Sequence, residues 1–222
     1  MTIGRAGFAY VSTTTRGKLD IIDWQKRVVR CAYNGKDFDG FGFSIPGHHS
    51  QLGRHSTELT SYGINESKQI MADWDAVLAS NLKAEAVRIG FNGKVVHANL
   101  IDAINHTWNL GHQVDVIDFD DTGYLMPYHL SLAKEAFARD VKVMTIVVAT
   151  RGNGNGLGPF LLEWAHRLKL RQYQHRRGNM AWKWSGIQAG AIETTAREAG
   201  YRCHTKTYMG RSTMLSCIIT KA

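Results

Sequence analysis

Residues 143–149 read Val-Met-Thr-Ile-Val-Val-Ala, a β-branched apolar run of strand length. A strand this apolar on both faces needs cover on both faces, which is the habit of parallel sheets flanked by helices. The rest of the chain supplies the cover. Strand-like segments at 38–45, 59–64, 94–98, 114–119 and 142–149 alternate with helical patterns at 67–89, 101–108 and 127–139. After residue 150 the pattern changes: a helix over 187–199 ends at Gly200, and strands at 201–207 and 213–220 flank Met209-Gly210-Arg211 as a terminal hairpin. The spacing predicts an α/β fold with a mostly parallel sheet, helices on both faces and an antiparallel C-terminal hairpin.

The 222 residues suffice for one α/β domain over 1–222. Its expected parts are an N-terminal extension (1–35) with a short helix at 23–30, a first half (36–150), an insertion (151–186), and a helix with the hairpin (187–222). No apolar run approaches the roughly 20 residues of a membrane helix, and no signal peptide stands behind Met1-Thr2-Ile3-Gly4-Arg5. Cys31, Cys203 and Cys217 are odd in number, scattered and without a CxxC pair. They argue against a disulfide framework or a Cys-rich zinc site and for a reduced, cytoplasmic protein.

Charge is unevenly placed. Residues 1–150 hold 15 Lys/Arg and 16 Asp/Glu, whereas residues 151–222 hold 12 Lys/Arg against Glu163, Glu193 and Glu198. One third of the chain thus carries all of the net +8, a field that suits a polyanion. Between Trp164 and Trp184 lie Arg167, Lys169, Arg171, Arg176, Arg177 and Lys183, with Tyr173 and Trp182 interleaved and no acid. Cations reach phosphates and rings stack on bases, so nucleic acid, with RNA favoured, is the expected partner and no membrane is. The alternative is a solvated helix face whose tryptophans pack into the core.

Ligands of open α/β sheets bind beyond the carboxyl ends of the strands. The sharpest feature there is Asp118-Phe119-Asp120-Asp121-Thr122-Gly123. Carboxylates crowded at a sheet mouth must be separated, protonated or neutralised, which points to a site; capping of the next helix by Asp120 or Asp121 is the structural alternative. His48, His49 and His55 read as loop histidines beside a pocket rather than metal ligands. Asn153-Gly154-Asn155-Gly156-Leu157-Gly158 lacks the Lys-Ser/Thr of a P-loop and reads as a lid. Trp74 and Trp108 are expected in the core, and Tyr124 and Tyr128 either stack on a base or pack inside.

The order of elements over about residues 36–222 resembles the class I S-adenosylmethionine-dependent methyltransferases, whose Rossmann-like seven-stranded sheet ends in such a hairpin. The strand-four motif is similar to that of the branch that methylates the exocyclic amine of tRNA guanine, Asp-x-Asp-Pro-aromatic-Gly; the next strand ends here in Val148-Ala149-Thr150-Arg151 against Thr-Ala-Thr-Asp there. The resemblance implies an enzyme that uses S-adenosylmethionine. It places Asp118, Asp120 and Asp121 at the acceptor, with Asp120 beside the transferred methyl group, and Gly42, Ser44, Gly47, Asn65, Glu66 and Asn99 around the cofactor. Tyr124, Arg151, Arg171, Arg176, Arg177 and Lys183 would meet the nucleic acid. The sequence departs from the family in its first loop, which keeps few glycines, and in Asn65 and Asn99 at positions where acids hold the ribose and lie near the adenine. Asp118, Asp120 and Thr122 also match the first motif of the haloacid-dehalogenase-like magnesium phosphatases, with Asp118 as nucleophile. The absence of any aspartate after Asp140 and the three strands ahead of the motif speak against that reading. A non-catalytic α/β module that binds nucleic acid or cofactor is the remaining alternative.

Overall fold

A computed structural model describes residues 16–120, 124–150, 159–168, 180–209 and 213–221. Helix α1 (Arg16–Ala32) precedes β1 (Phe41–Ser44), α2 (Leu52–Tyr62), β2 (Gln69–Asp73), α3 (Ala76–Ile89), β3 (Lys94–His97) and α4 (Leu100–Asn109). There follow β4 (Val114–Asp120), α5 (Pro127–Ala138), β5 (Val143–Ala149), α6 (Pro159–Arg167), α7 (Met180–Glu198), β6 (Tyr201–Met209) and β7 (Thr213–Lys221). The seven strands form one sheet in the order β3-β2-β1-β4-β5-β7-β6. The first five are parallel; β7 runs antiparallel to both β5 and β6. This is the Rossmann-like methyltransferase fold, and the expected fold class holds.

Alternation along the strands sorts the core. Phe43, Ile117, Phe119, Met144 and Ile146 face Ile104, Trp108, Leu132 and Ile187, the apolar sides of α4, α5 and α7. Met71, Val116, Val143 and Ile218 face Val29, Leu52, Leu59, Tyr62 and Leu82 from α1, α2 and α3. Helix α1 extends well beyond the short helix expected, and its inward residues Ile21, Gln25 and Val29 recur at one-turn spacing.

Two boundaries correct the sequence reading. Residues 59–64 are not a strand: Leu52, His55, Ser56, Leu59 and Tyr62 are the buried side of α2, which ends at Gly63 with a left-handed φ of 111°. Nor is 67–89 one helix. A 3-10 turn (Glu66–Lys68) leads into β2, whose five residues are all buried, and α3 starts only after Asp75, whose carboxylate accepts from the Val77 and Leu78 amides. Ile70 stands at helical spacing from Trp74 and Val77 by coincidence of composition. Trp74, expected in the core, is 57% exposed, whereas Trp108 is buried as expected. Helix α7 starts at Met180, within the segment read as the tail of the insertion.

Candidate functional site

The strand order reverses between β1 and β4, the place beyond whose strand ends open α/β sheets form their ligand crevice. The turn after β1 passes through Gly47, whose φ is +65° and beside which an added Cβ would meet nothing within 4 Å. The turn therefore leaves open room beside its backbone at the crevice. His48 and His49 follow, their rings 4.1 Å apart, with His48 Nδ1 2.8 Å from Ser50 Oγ. They pack on each other, as loop histidines.

The acid at the end of β2 is Asp73. It is buried, and its Oδ1 accepts from the Asp75 amide at 2.9 Å. Asn65 and Glu66, expected at this place, stand before β2 at the opposite end of the sheet. Asn65 caps the turn there by accepting from the Ser67 amide at 3.0 Å. The misplaced second strand moved the expectation by a whole strand length. Asn99 does follow β3 and caps α4, accepting from the Asp102 amide at 2.9 Å and donating to Asp102 Oδ2 at 2.6 Å. Trp74 lies exposed between Asp73 and α3, and its carbonyl is 3.0 Å from His97 Nε2.

Beneath the crevice, on the α1/α2 side of the sheet, lies a buried polar cluster that sequence reading did not assemble. Ser44 Oγ, closing β1, donates to Asp118 Oδ2 at 2.7 Å and lies 2.6 Å from His55 Nδ1; Thr145 Oγ1 donates to Asp118 Oδ1. His55 Nδ1 is 3.2 Å from Asp118 Oδ2, and its Nε2 is 2.7 Å from an Arg54 guanidinium nitrogen. Arginine only donates, so Nε2 is the acceptor in that contact. Arg54 also donates to Glu58 Oε1 at 2.6 Å. Asp120, at the end of β4, takes Lys18 Nζ of α1 at 2.6 Å and Arg54 at 3.5 Å, both on Oδ2. A spacing signal existed: residues 54, 55 and 58 share one turn of α2, and only the strand assignment for 59–64 hid it.

Electrostatics follow from this packing. Burial alone would raise the Asp120 carboxyl, but Lys18 and Arg54 outweigh it and hold the group well below the usual carboxylate range. Burial likewise works against Asp118, and the hydrogen bonds from His55 and Thr145 leave it below its ordinary value. Glu58 goes the other way, pushed up by burial against His55 and Arg54. Asp118 is 2% exposed with both oxygens bonded, so it is placed to hold the cluster together rather than to attack a substrate. The sheet order and this burial both disagree with a phosphatase nucleophile at Asp118. His55, Glu58 and Asp118 are close enough to share a metal, with ligand atoms within 4.8 Å. Arg54 already stands on His55 and Glu58, so a protein cation fills the place.

Gly42 packs closely within the fold: an added Cβ would lie 3.0 Å from Ile64 Cγ1 and Cγ2. Ser44 turns into the cluster, away from the loop. Tyr124 lies near the crevice with its ring 6.5 Å from that of Trp184. Trp164 and Trp184, expected among the stacking aromatics, are buried in the core, and Arg167 lies over the Trp164 ring and pairs with Glu198 at 2.6 Å. Asp121, Arg151, Arg171, Arg176 and Arg177 lie outside the described residues, and Lys183 falls in the first turn of α7. A basic row appears elsewhere: Arg202, His204 and Lys206 are exposed at alternate positions of β6. No helix of the described residues is long and apolar enough to cross a membrane.

No protein-family model matches the chain, and no curated protein matches its sequence. Solved structures do share its fold. Magnesium protoporphyrin IX methyltransferase from Synechocystis, with bound S-adenosylhomocysteine, superposes with a TM-score of 0.54 at 11% identity over 93% of this chain and 84% of that one. An O-methyltransferase from Bacillus cereus, also in complex with S-adenosylhomocysteine, gives 0.53 at 12% identity over 91% and 81%.

Proposed function

We propose that this chain is an S-adenosylmethionine-dependent methyltransferase acting on nucleic acid, with RNA the favoured acceptor. The observation that carries the reading is the crevice at the β1/β4 reversal, flanked by one acid at the end of β2 and one at the end of β4. The residues fit the cofactor. Gly47 leaves the loop backbone open for the methionine part. Asp73 takes the place of the ribose acid that resemblance had assigned to Asn65. Asn99 and Asp102 lie beyond β3, where the adenine is expected. The cofactor supplies a methyl group on a positively charged sulfur.

The chain's own residues position the acceptor. Both described cations on Asp120 bind Oδ2, and this reading assigns Oδ1 to an acceptor N–H. Held well below the ordinary carboxylate range, Asp120 stays ionised, accepts that hydrogen bond and orients the nitrogen lone pair; the nitrogen–methyl bond forms as the sulfur–methyl bond breaks, and the methylated nitrogen then loses its extra proton to water. The excess charge of residues 151–222 and the exposed Arg202–Lys206 row support a polyanionic acceptor.

Calorimetric titration with S-adenosylmethionine and S-adenosylhomocysteine tests the pocket. Micromolar binding of both, weakened at least tenfold in Asp73→Ala, is expected; binding of neither by the wild-type protein contradicts the reading.

A further inference from the structure

The N-terminal helix α1 lies outside the strand–helix alternation that builds the sheet, yet it sends Lys18 into the mouth of β4. Lys18 Nζ is 2.6 Å from Asp120 Oδ2, and its ammonium is 6.0 Å from the centre of the Tyr208 ring on β6. The Lys18 and Asp120 side chains are only 16% and 12% exposed. The helix is anchored for this reach: Gln25 donates to Ser216 Oγ of β7 at 3.0 Å and accepts from the Tyr62 hydroxyl at 3.1 Å, all buried. Lys18 is therefore presented by a fixed scaffold.

We infer that Lys18 is a positioning residue that clamps Asp120 through Oδ2 and so sets the charge met by a sulfonium at the mouth of β4. The inference rests on the methyltransferase reading. A sulfonium is a cation and its demethylated product is neutral, so the two ligands report local charge by their difference. Among the described residues, the charged and titratable groups facing Asp120 are Lys18 from α1, Arg54 and His55 from α2 and Tyr208 from β6, with Glu58 and Asp118 behind Arg54. Removing Lys18 deletes one positive charge and leaves Arg54 as the cation on Asp120 Oδ2 among the described residues. Removing Asp120 deletes one negative charge and keeps the positive charge of Lys18 at the mouth of β4.

The test is the ratio of the dissociation constants for S-adenosylhomocysteine and S-adenosylmethionine, measured by calorimetry at low salt and pH 7.5. Lys18→Met should raise this preference for the sulfonium by about fivefold or more, the size expected of one unit charge acting over a few ångströms near a surface. Asp120→Asn should lower it by a similar factor. Lys18→Arg and the double variant K18M/D120N, which keeps the total charge, should stay within about twofold of wild type. A general loosening of the fold would weaken both ligands alike and leave the ratio unmoved. Where Lys18→Met fails to fold, Asp120→Asn and the double variant decide the matter. A ratio unchanged in Lys18→Met or in Asp120→Asn, with both ligands still bound, overturns the role of Lys18 while the methyltransferase reading stands. Loss of both ligands from the wild-type protein overturns both.

Discussion

Asp120 shows how a residue legible in sequence acquires its properties from residues that are not. The acidic run at the end of β4 is visible in the chain, and its place at the sheet mouth follows from the pattern of strands. Its partners, Lys18 and Arg54, lie 102 and 66 residues away and carry no local mark. Their effect on stability has a definite sign. Asp118 and Asp120 bind protons less readily folded than unfolded. Each therefore contributes stability that is complete above the unfolded carboxylate value of about 4 and is lost as pH falls below it toward the depressed folded value. Glu58, raised in the fold, contributes the opposite way: its share is present at acid pH and is lost as pH rises through its folded value. Urea unfolding between pH 4 and pH 2 should therefore show a steep loss in the wild-type protein. In Lys18→Met that slope should fall by up to about 1.4 kcal/mol per pH unit, because the Asp120 part is reduced. An identical slope in the two proteins would mean that Lys18 does not hold Asp120 ionised.

At the scale of elements, the second half of the fold was readable and part of the first was not. β4, α5, β5 and the terminal hairpin have long apolar runs with clear turns between them, and they stand within a few residues of where the pattern puts them. α2 and β2 are hard to read from the sequence because neither has a strong period. α2 buries polar residues, His55, Ser56 and Glu58, on its inner side, so its apolar stripe is broken in the sequence. β2 has five residues and runs into Trp74 and Asp75, whose capping carboxylate marks the start of α3. That single slip carried Asn65 and Glu66 into the candidate site and left Asp73 out. Gly42 teaches the complementary lesson. Gly42 stands where β1 meets Ile64, and an added methyl there would be 3.0 Å from two stiff branches that must give way. Gly42→Ala should destabilise the protein by about 1–3 kcal/mol in chemical denaturation. A variant of unchanged stability and unchanged cofactor affinity would deny the glycine both roles.

For the whole molecule, the lopsided charge and the sheet order are separate facts. The sheet puts the crevice at β1 and β4, while the excess positive charge belongs to the third of the chain that forms α6, α7, β6 and β7. The aromatic part of the sequence argument weakened once Trp164 and Trp184 took places in the core, because tryptophans interleaved with cations on one helix face can face inward as well as out. The electrostatic part does not depend on them. The central claim is methyl transfer to RNA, and its most direct measurement follows a tritiated methyl group from S-adenosylmethionine into total cellular RNA incubated with the purified protein. The account predicts label that is released by ribonuclease and lost in Asp120→Ala. Tight cofactor binding with no label in RNA, or label that survives ribonuclease, would contradict it.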